Sequence, residues 1–317
     1  MRLRNVPTTA HGAQAPALEG ATTWLNSGPL TTADLHGHVV AYDFWTYTCV
    51  NWLRTLPYLR AWADRYRRHG LIVIGVHTPE FVFEHELDNV RDAVRSERVD
   101  YPVAVDNDYA VWDAFDNHYW PALYLADARG VIRHRQFGEG GYAEAEHVIG
   151  QLLEEAGGRD LPRGVVDVDP RGVEVAADWR HLESPETYLG AARGERLVSA
   201  QEGRELRLNQ WRLAGEWTIR SDAVSLDVGE GTIAYHFHAR DVNLVLAATR
   251  GETPFRVLLD GRAPGASSGA DCDDEGHGVV SKSRLYQLIR QRDSIDEHTF
   301  EITFAMPGVA AYVFTFG

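Results

Sequence analysis

Cys49 stands where this 317-residue sequence offers the strongest means of activating a thiol. It follows an apolar run at residues 39–44 and begins a segment, residues 50–69, whose apolar residues have helical spacing. Backbone N–H groups and the dipole at a helix start stabilise a thiolate and lower its pKa. A thiolate is the nucleophile in disulfide exchange and peroxide reduction, so the segment predicts a redox thiol. The alternative is a small apolar core residue.

Neighbouring side chains are candidates for shaping the thiol pocket. Thr46 lies three residues before Cys49 and could hydrogen-bond the thiolate or a peroxide oxygen. Trp45 and Trp52 flank the cysteine, and Trp52 either shields the thiol in an apolar pocket or marks a redox site that has been lost.

Two more segments are predicted to approach the cysteine. His77 and Glu80 follow the apolar run at residues 71–76. Sites in open α/β sheets lie beyond the carboxyl ends of strands, so these side chains could tune the thiolate or shuttle a proton, with an ordinary loop as the alternative. The Trp120–Pro121 bond precedes a hairpin signal and is a candidate cis-proline that faces the cysteine and shapes a groove for a partner, or else an ordinary turn proline.

The other cysteine, Cys272, lies in an acidic loop. Asp271, Asp273 and Glu275 match the first ligand positions of a D-x-D-x-D-G calcium loop. Lys282 replaces the glutamate that such a loop needs as its last ligand, so a solvated acidic turn is favoured and no metal or other cofactor is predicted.

The elements that must position these residues change in type along the chain. Strand and helix signals alternate up to about residue 156, which indicates a sheet covered by helices. After a Gly- and Pro-containing stretch the pattern becomes β-rich, as in a sandwich or jelly roll, with residues 284–290 as the only helical segment. We therefore predict an N-terminal extension (1–16), an α/β domain (17–157), a linker (158–170) and a β domain (171–317).

Composition narrows the classes of partner and compartment. The formal net charge is −15, which argues against nucleic acid and anionic membranes as partners, because both would repel the chain. Two cysteines cannot make a disulfide scaffold, and the start of the chain lacks the apolar region of a signal peptide. The expected location is the cytoplasm.

The motifs around Cys49 carry a resemblance. The F-W-T-Y-T-C run at residues 44–49, the helix containing Pro57 and the Trp120–Pro121 pair resemble the active-site region of thioredoxin-fold redoxins of the TlpA/peroxiredoxin-like group. Further cues at residues 75–81, 184–190, 284–290 and 311–316 make the chain most similar to the DipZ-type group. The resemblance implies a thioredoxin-like domain followed by a jelly-roll, carbohydrate-module-like domain.

The chain departs from that family at one position. Thioredoxins use C-x-x-C, whereas this sequence has C-V-N-W, with Trp52 at the position of the resolving cysteine. Cys49 cannot close a local disulfide, which leaves monothiol chemistry with an external thiol reductant or a protein disulfide partner. The match to peroxidases is partial, because Tyr42 stands where peroxiredoxins place a proline.

The sequence therefore predicts a thioredoxin-fold protein that uses one cysteine for peroxide reduction or thiol-disulfide exchange. The alternative is a redox-silent scaffold whose second domain binds a glycan or a protein. Four aromatic residues of that domain could form a stacking platform for a sugar: Trp179, Tyr188, Trp211 and Trp217.

Overall fold

The computed structural model describes residues 12–198 and 205–317, and the chain divides into two compact units, Met1–Pro170 and Arg171–Gly317. The described strands of the first unit are β1 (Thr23–Leu25), β2 (Val39–Trp45), β3 (Leu71–His77), β4 (Val103–Val105), β5 (Ala122–Ala126) and β6 (Ile132–Phe137). Its helices are α1 (Thr32–Leu35), α2 (Val50–Tyr66), α3 (Leu87–Ser96), α4 (Ala110–Ala114) and α5 (Tyr142–Glu155). The strands form one sheet in the order β1-β4-β3-β2-β5-β6.

Strand pairing brings several loops to one edge of this sheet. β2, β3 and β4 are parallel, with Trp45 opposite His77 and His77 opposite Val105. β5 runs antiparallel to β2 and begins at the same edge, where Ala122 pairs with Phe44. The loops after β2, β3 and β4 and the segment before β5 therefore meet at one edge, as parallel strand ends do in α/β sheets.

The local sequence accounts for the burial and packing of β2, β3 and α2, the elements that lead to this edge. All seven residues of β2 are buried, as expected for a central strand that is covered on both faces. Gly75 in β3 allows the Trp45 ring to lie against the backbone, because a Cβ at this position would stand 2.7 Å from Trp45 Nε1. Helix α2 carries Pro57 in its interior, as the sequence showed.

The end of the predicted N-terminal extension contacts the α/β unit. The Ala15 N–H donates to the Gly130 carbonyl at 2.7 Å, and Gln14 forms an isolated antiparallel β-bridge with Val131. The earlier part of that extension, residues 1–11, lies outside the described residues. Within the described ranges, no helix is long and apolar enough to span a membrane.

The second unit is built of antiparallel strands. Its described strands are β7 (Thr187–Tyr188), β8 (Trp211–Ile219), β9 (Val224–His238), β10 (Asp241–Ala248), β11 (Thr253–Leu259), β12 (His277–Val280), β13 (Arg284–Arg290), β14 (Glu297–Phe304) and β15 (Val309–Phe316). Hydrogen bonds connect them into one sheet, in which β12-β11-β14-β9-β15-β10-β13 are successive neighbours and β7 and β8 pair with β15 and β9. The predicted fold class, a thioredoxin-like α/β unit followed by a β unit, is confirmed; the finer jelly-roll description stays a prediction.

Secondary-structure predictions for the second unit were wrong in three places. The segment 284–290, predicted to be helical, is strand β13, which pairs with β10. Five consecutive residues of this strand are buried, so both of its faces are covered. Its apolar residues therefore do not mark the single buried face of an amphipathic helix. The strand predicted at 205–213 begins only at Trp211. The strand predicted at 217–227 is a hairpin, closed by a hydrogen bond from the Arg220 N–H to the Ala223 carbonyl.

Candidate functional site

Cys49 is the N-cap residue of α2 and is partly exposed. Its carbonyl accepts the Leu53 N–H at 3.1 Å, which is the first bond of the helix, and its own N–H donates to the Thr46 carbonyl at 3.2 Å. The first N–H groups of a helix have no acceptor within the helix, and no acidic residue lies in this first turn. Cys49 therefore lies at the positive end of a 17-residue helix, although its side chain makes no capping hydrogen bond.

Trp52 fills the position of a resolving cysteine with a buried ring. The side chain is 0% exposed and stacks on Trp45 with ring centroids 4.2 Å apart. Its Nε1–H donates to Asp43 Oδ2 at 2.9 Å. The indole is thus fixed by a hydrogen bond and a stacking contact behind Cys49.

Asp43 is a site residue that the sequence analysis missed. It is fully buried in β2, and its Oδ1 makes no hydrogen bond to any described residue. Burial raises the pKa of Asp43 to about 7, against the opposing effect of the hydrogen bond from Trp52. A signal was present, because an acid within an apolar strand run is rare unless it is paired or functional.

His77 lies beside this stack as part of an aromatic cluster. It is fully buried, edge-on to Trp45 at 4.8 Å and stacked on Tyr47 at 5.8 Å. Burial lowers the pKa of His77 to about 3, so the ring is neutral near pH 7. This geometry favours a packing role over the predicted proton shuttle.

The loop after β3 contains a buried carboxyl group, but at Glu84 rather than at the predicted Glu80. Glu84 is fully buried and accepts the Thr48 hydroxyl at 2.7 Å and the N–H groups of Glu80 and Phe81 at 2.7 and 2.9 Å. Burial raises the pKa of Glu84 to about 7, while these bonds and the nearby Thr46 hydroxyl oppose the rise. Glu80 itself is partly exposed, and Thr46 is fully buried.

The Trp120–Pro121 bond is cis, as the sequence predicted. It immediately precedes β5 and therefore lies at the same sheet edge as the loop that carries Cys49. The Trp120 Nε1–H donates to the Thr78 carbonyl at 3.1 Å, and its ring packs on Trp112. This ring connects the proline to the loop after β3.

A buried ion pair at this edge was also missed by the sequence analysis. Arg54 of α2 lies 2.9 Å from Glu139, which follows β6, and the two side chains are 2% and 6% exposed. Burial raises the pKa of Glu139, and the arginine opposes that rise. The pair joins the helix that begins at Cys49 to the loop after β6.

The second unit does not assemble the predicted calcium ligands. Asp271 directs one carboxylate oxygen to Arg284 at 2.6 Å and the other to the Gln287 N–H at 2.7 Å. Asp273 accepts the N–H groups of its own turn, including that of Glu275 at 3.0 Å. In the described ranges, no group of three His, Cys, Asp or Glu side chains is placed to hold a metal ion, and this geometry does not favour the calcium hypothesis.

Cys272 differs from Cys49 in its surroundings. Its Sγ–H donates to the Leu288 carbonyl at 3.2 Å, and the side chain packs against the core of the second unit. Burial raises the pKa of the Cys272 thiol to about 11. At neutral pH this cysteine is therefore a protonated, weakly reactive thiol.

The predicted aromatic platform is not formed. Trp211 is 1% exposed and belongs to the core, and Trp217 packs on Phe304. Trp179 is exposed, whereas the Tyr188 ring is covered by the Arg193 guanidinium at 3.6 Å. Since two of the four rings pack into the core, these residues do not support glycan binding.

Comparisons with known proteins match both units. A model of the AhpC/TSA family matches residues 11–135, and a model of the thioredoxin-like C-terminal domain matches residues 184–317. Protein DipZ of Mycobacterium bovis is 35% identical over 305 residues, covering 92% of this chain and 42% of that protein. The chain thus spans about two fifths of the length of this relative.

A shorter relative is covered almost completely. The thiol-disulfide oxidoreductase YkuV of Bacillus subtilis is 31% identical over 141 residues, which is 44% of this chain and 94% of that protein. The solved structure of a thioredoxin-like protein in the oxidised form is 31% identical and covers 45% of this chain and 95% of its own, with a TM-score of 0.41.

Proposed function

The chain belongs to the thioredoxin-fold thiol-disulfide oxidoreductase family, and from this membership we propose that Cys49 is a single reactive thiol that exchanges disulfides with external partners. The observation that carries the proposal is the place of Cys49 at the N-cap of α2, partly exposed and next to the N–H groups of the first helical turn. Those groups and the helix dipole favour the thiolate, which is the attacking form in disulfide exchange.

The exchange takes place in two steps. The Cys49 thiolate attacks a disulfide R–S–S–R′, so that a Cys49–S–S–R bond forms and R′–S⁻ leaves. An external thiolate R″–S⁻ then attacks the sulfur of R, which regenerates the Cys49 thiolate and forms R–S–S–R″. The second thiol comes from outside, because the residue three positions on is the buried Trp52.

Disulfide exchange accounts for the surroundings of Cys49 better than peroxide reduction does. The hydroxyl expected to hold a peroxide oxygen belongs to Thr46, which is fully buried and lies beside Glu84. The cis Pro121 shares the sheet edge with Cys49, which suits an extended partner segment. We therefore propose a protein disulfide or a small thiol as the partner.

Alkylation of each cysteine alone tests the proposal. Iodoacetamide labelling is followed by mass spectrometry from pH 5 to 11 in the Cys272→Ser and Cys49→Ser variants, each of which retains one thiol. We expect the Cys272→Ser protein to be alkylated at pH 7 at least about tenfold faster than the Cys49→Ser protein. The Cys49→Ser protein should react only as the pH approaches the pKa of Cys272, about 11.

Equal rates at pH 7 would reject the proposal and favour the redox-silent scaffold. Consumption of hydrogen peroxide by the Cys272→Ser protein, without exchange with a model disulfide, would reject disulfide exchange in favour of peroxide reduction.

A further inference from the structure

A polar cavity of about 260 Å³ opens in the second unit, next to the start of the acidic loop, because Gly269 and Ala270 line it and Asp271 follows them. Its described lining includes Arg290 and Arg292, the amide residue Gln287 and the small residue Ser268, and it includes no acidic side chain. In a chain with a formal net charge of −15, a cavity lined by two guanidinium groups is a distinct local feature. This volume is large enough for a small organic anion.

Gln287 is the buried polar group of this cavity. The residue is 4% exposed, and its side-chain amide makes no hydrogen bond to the part of the chain that the structure describes. The amide oxygen and nitrogen are not sealed off by the protein, so they face the open volume of the cavity. Gln287 can therefore donate to, or accept from, water or a ligand in that volume.

The two arginines are held in place by other contacts and keep donors to spare. Arg290 pairs with Asp241 at 2.6 Å, and its Nη1–H donates to the Gly172 carbonyl at 2.9 Å. Asp241 also pairs with Arg240 at 2.6 Å, so one carboxylate faces two guanidinium groups and a positive charge remains. The Arg292 Nε–H donates to the Ala266 carbonyl at 2.8 Å, which leaves the terminal N–H groups of Arg292 for a ligand.

We propose that this cavity binds a small oxyanion, a carboxylate or phosphate group, between Arg290, Arg292 and the Gln287 amide. The terminal N–H groups of Arg292 suit paired hydrogen bonds to such an anion, and the amide N–H₂ of Gln287 adds a neutral donor. Arg290 already binds Asp241 through Nε and Nη2 at 2.6 and 3.0 Å, so it contributes mainly positive charge beside the anion. The site lies in the β unit and is separate from the chemistry of Cys49.

Titration calorimetry on the full chain tests the site, with inorganic phosphate and succinate as separate probes at constant ionic strength. We expect saturable one-site binding of at least one probe, and the probe that binds identifies the anion. Arg292→Gln should weaken binding by about tenfold or more. The matched control is Arg262→Gln, which removes the same charge from an exposed position of the same unit outside the cavity and should bind as the wild type does.

Gln287→Met keeps the side-chain volume and removes the amide. It should weaken binding roughly tenfold, with the unfolding midpoint in urea unchanged or raised, because the amide makes no bond to the described chain. The proposal is overturned if neither probe gives saturable heat, or if Arg292→Gln binds as tightly as the Arg262→Gln control. Unchanged binding by a folded Gln287→Met protein would overturn the role of the amide.

Discussion

Replacing Asp43 by asparagine should remove the pH-dependent destabilisation that burial of this acid causes in the α/β unit. In the folded protein the pKa of Asp43 is raised to about 7 from its ordinary value near 3.8, because the carboxyl is fully buried. Between these two values the folded protein holds a proton that the unfolded chain has released. The stabilising contribution of Asp43 to the free energy of unfolding is therefore fully present below pH 3.8 and is lost as the pH rises to about 7.

The magnitude follows from the width of that pH interval. Roughly three pH units at about 1.4 kcal/mol each give a loss of ~4 kcal/mol in the free energy of unfolding between pH 4 and pH 8. Asp43→Asn has no carboxyl to ionise and retains an oxygen that accepts the Trp52 Nε1–H. The stability of the variant relative to the wild type should thus rise by about this amount across the interval, whatever the constant offset between the two proteins.

Urea denaturation at half-unit steps from pH 4 to 8 measures this difference. Glu84 titrates in the same range, but it is common to both proteins and cancels when they are subtracted. Asp64→Asn, at an exposed position of α2, is the matched control and should follow the wild-type curve. Parallel curves for the wild type and Asp43→Asn would refute the raised pKa and, with it, the closed environment behind Cys49.

Three other substitutions test the packing of the same sheet edge by urea denaturation at pH 7. Arg54→Met should cost about 3–5 kcal/mol because Glu139 is left buried and unpaired, and adding Glu139→Leu should restore most of the loss. Gly75→Ala should cost about 1–3 kcal/mol, since its Cβ would meet Trp45 Nε1 at 2.7 Å. Trp52→Phe removes the donor to Asp43 and should cost about 1.5–3 kcal/mol. A change below about 0.5 kcal/mol in any of the three single variants would contradict the contact concerned.

The sheet edge was predictable because apolar runs and their ends are local properties of the sequence. The run before Cys49 and the run before His77 became β2 and β3, and parallel pairing placed their carboxyl ends together. The cis bond before Pro121 was predicted from its place ahead of a hairpin.

The acids of the site were harder to find, because tertiary packing decides which carboxyl groups are buried. Asp43 lies within an apolar strand run, yet only the structure shows that the Trp52 indole donates to it. Glu80 and Glu84 are both glutamates of the same loop, so the sequence does not distinguish them. The turn that begins at Phe81 directs only Glu84 into the interior. The helix predicted at residues 284–290 was wrong for a related reason. A strand with five consecutive buried residues lacks the alternation of apolar and polar residues by which a strand is recognised in a sequence.

Trapping of a mixed disulfide at Cys49 tests most directly whether this residue is a reactive thiol that exchanges disulfides with an external partner. The Cys272→Ser protein is incubated with glutathione disulfide at pH 7, and the intact mass is followed before and after removal of the free disulfide. We predict one glutathione per chain on Cys49, stable until an external thiol is added, and loss of the adduct without added thiol in a folded Trp52→Cys, Cys272→Ser protein. Failure of glutathione disulfide and of a cystine-containing peptide to modify Cys49 would contradict the account.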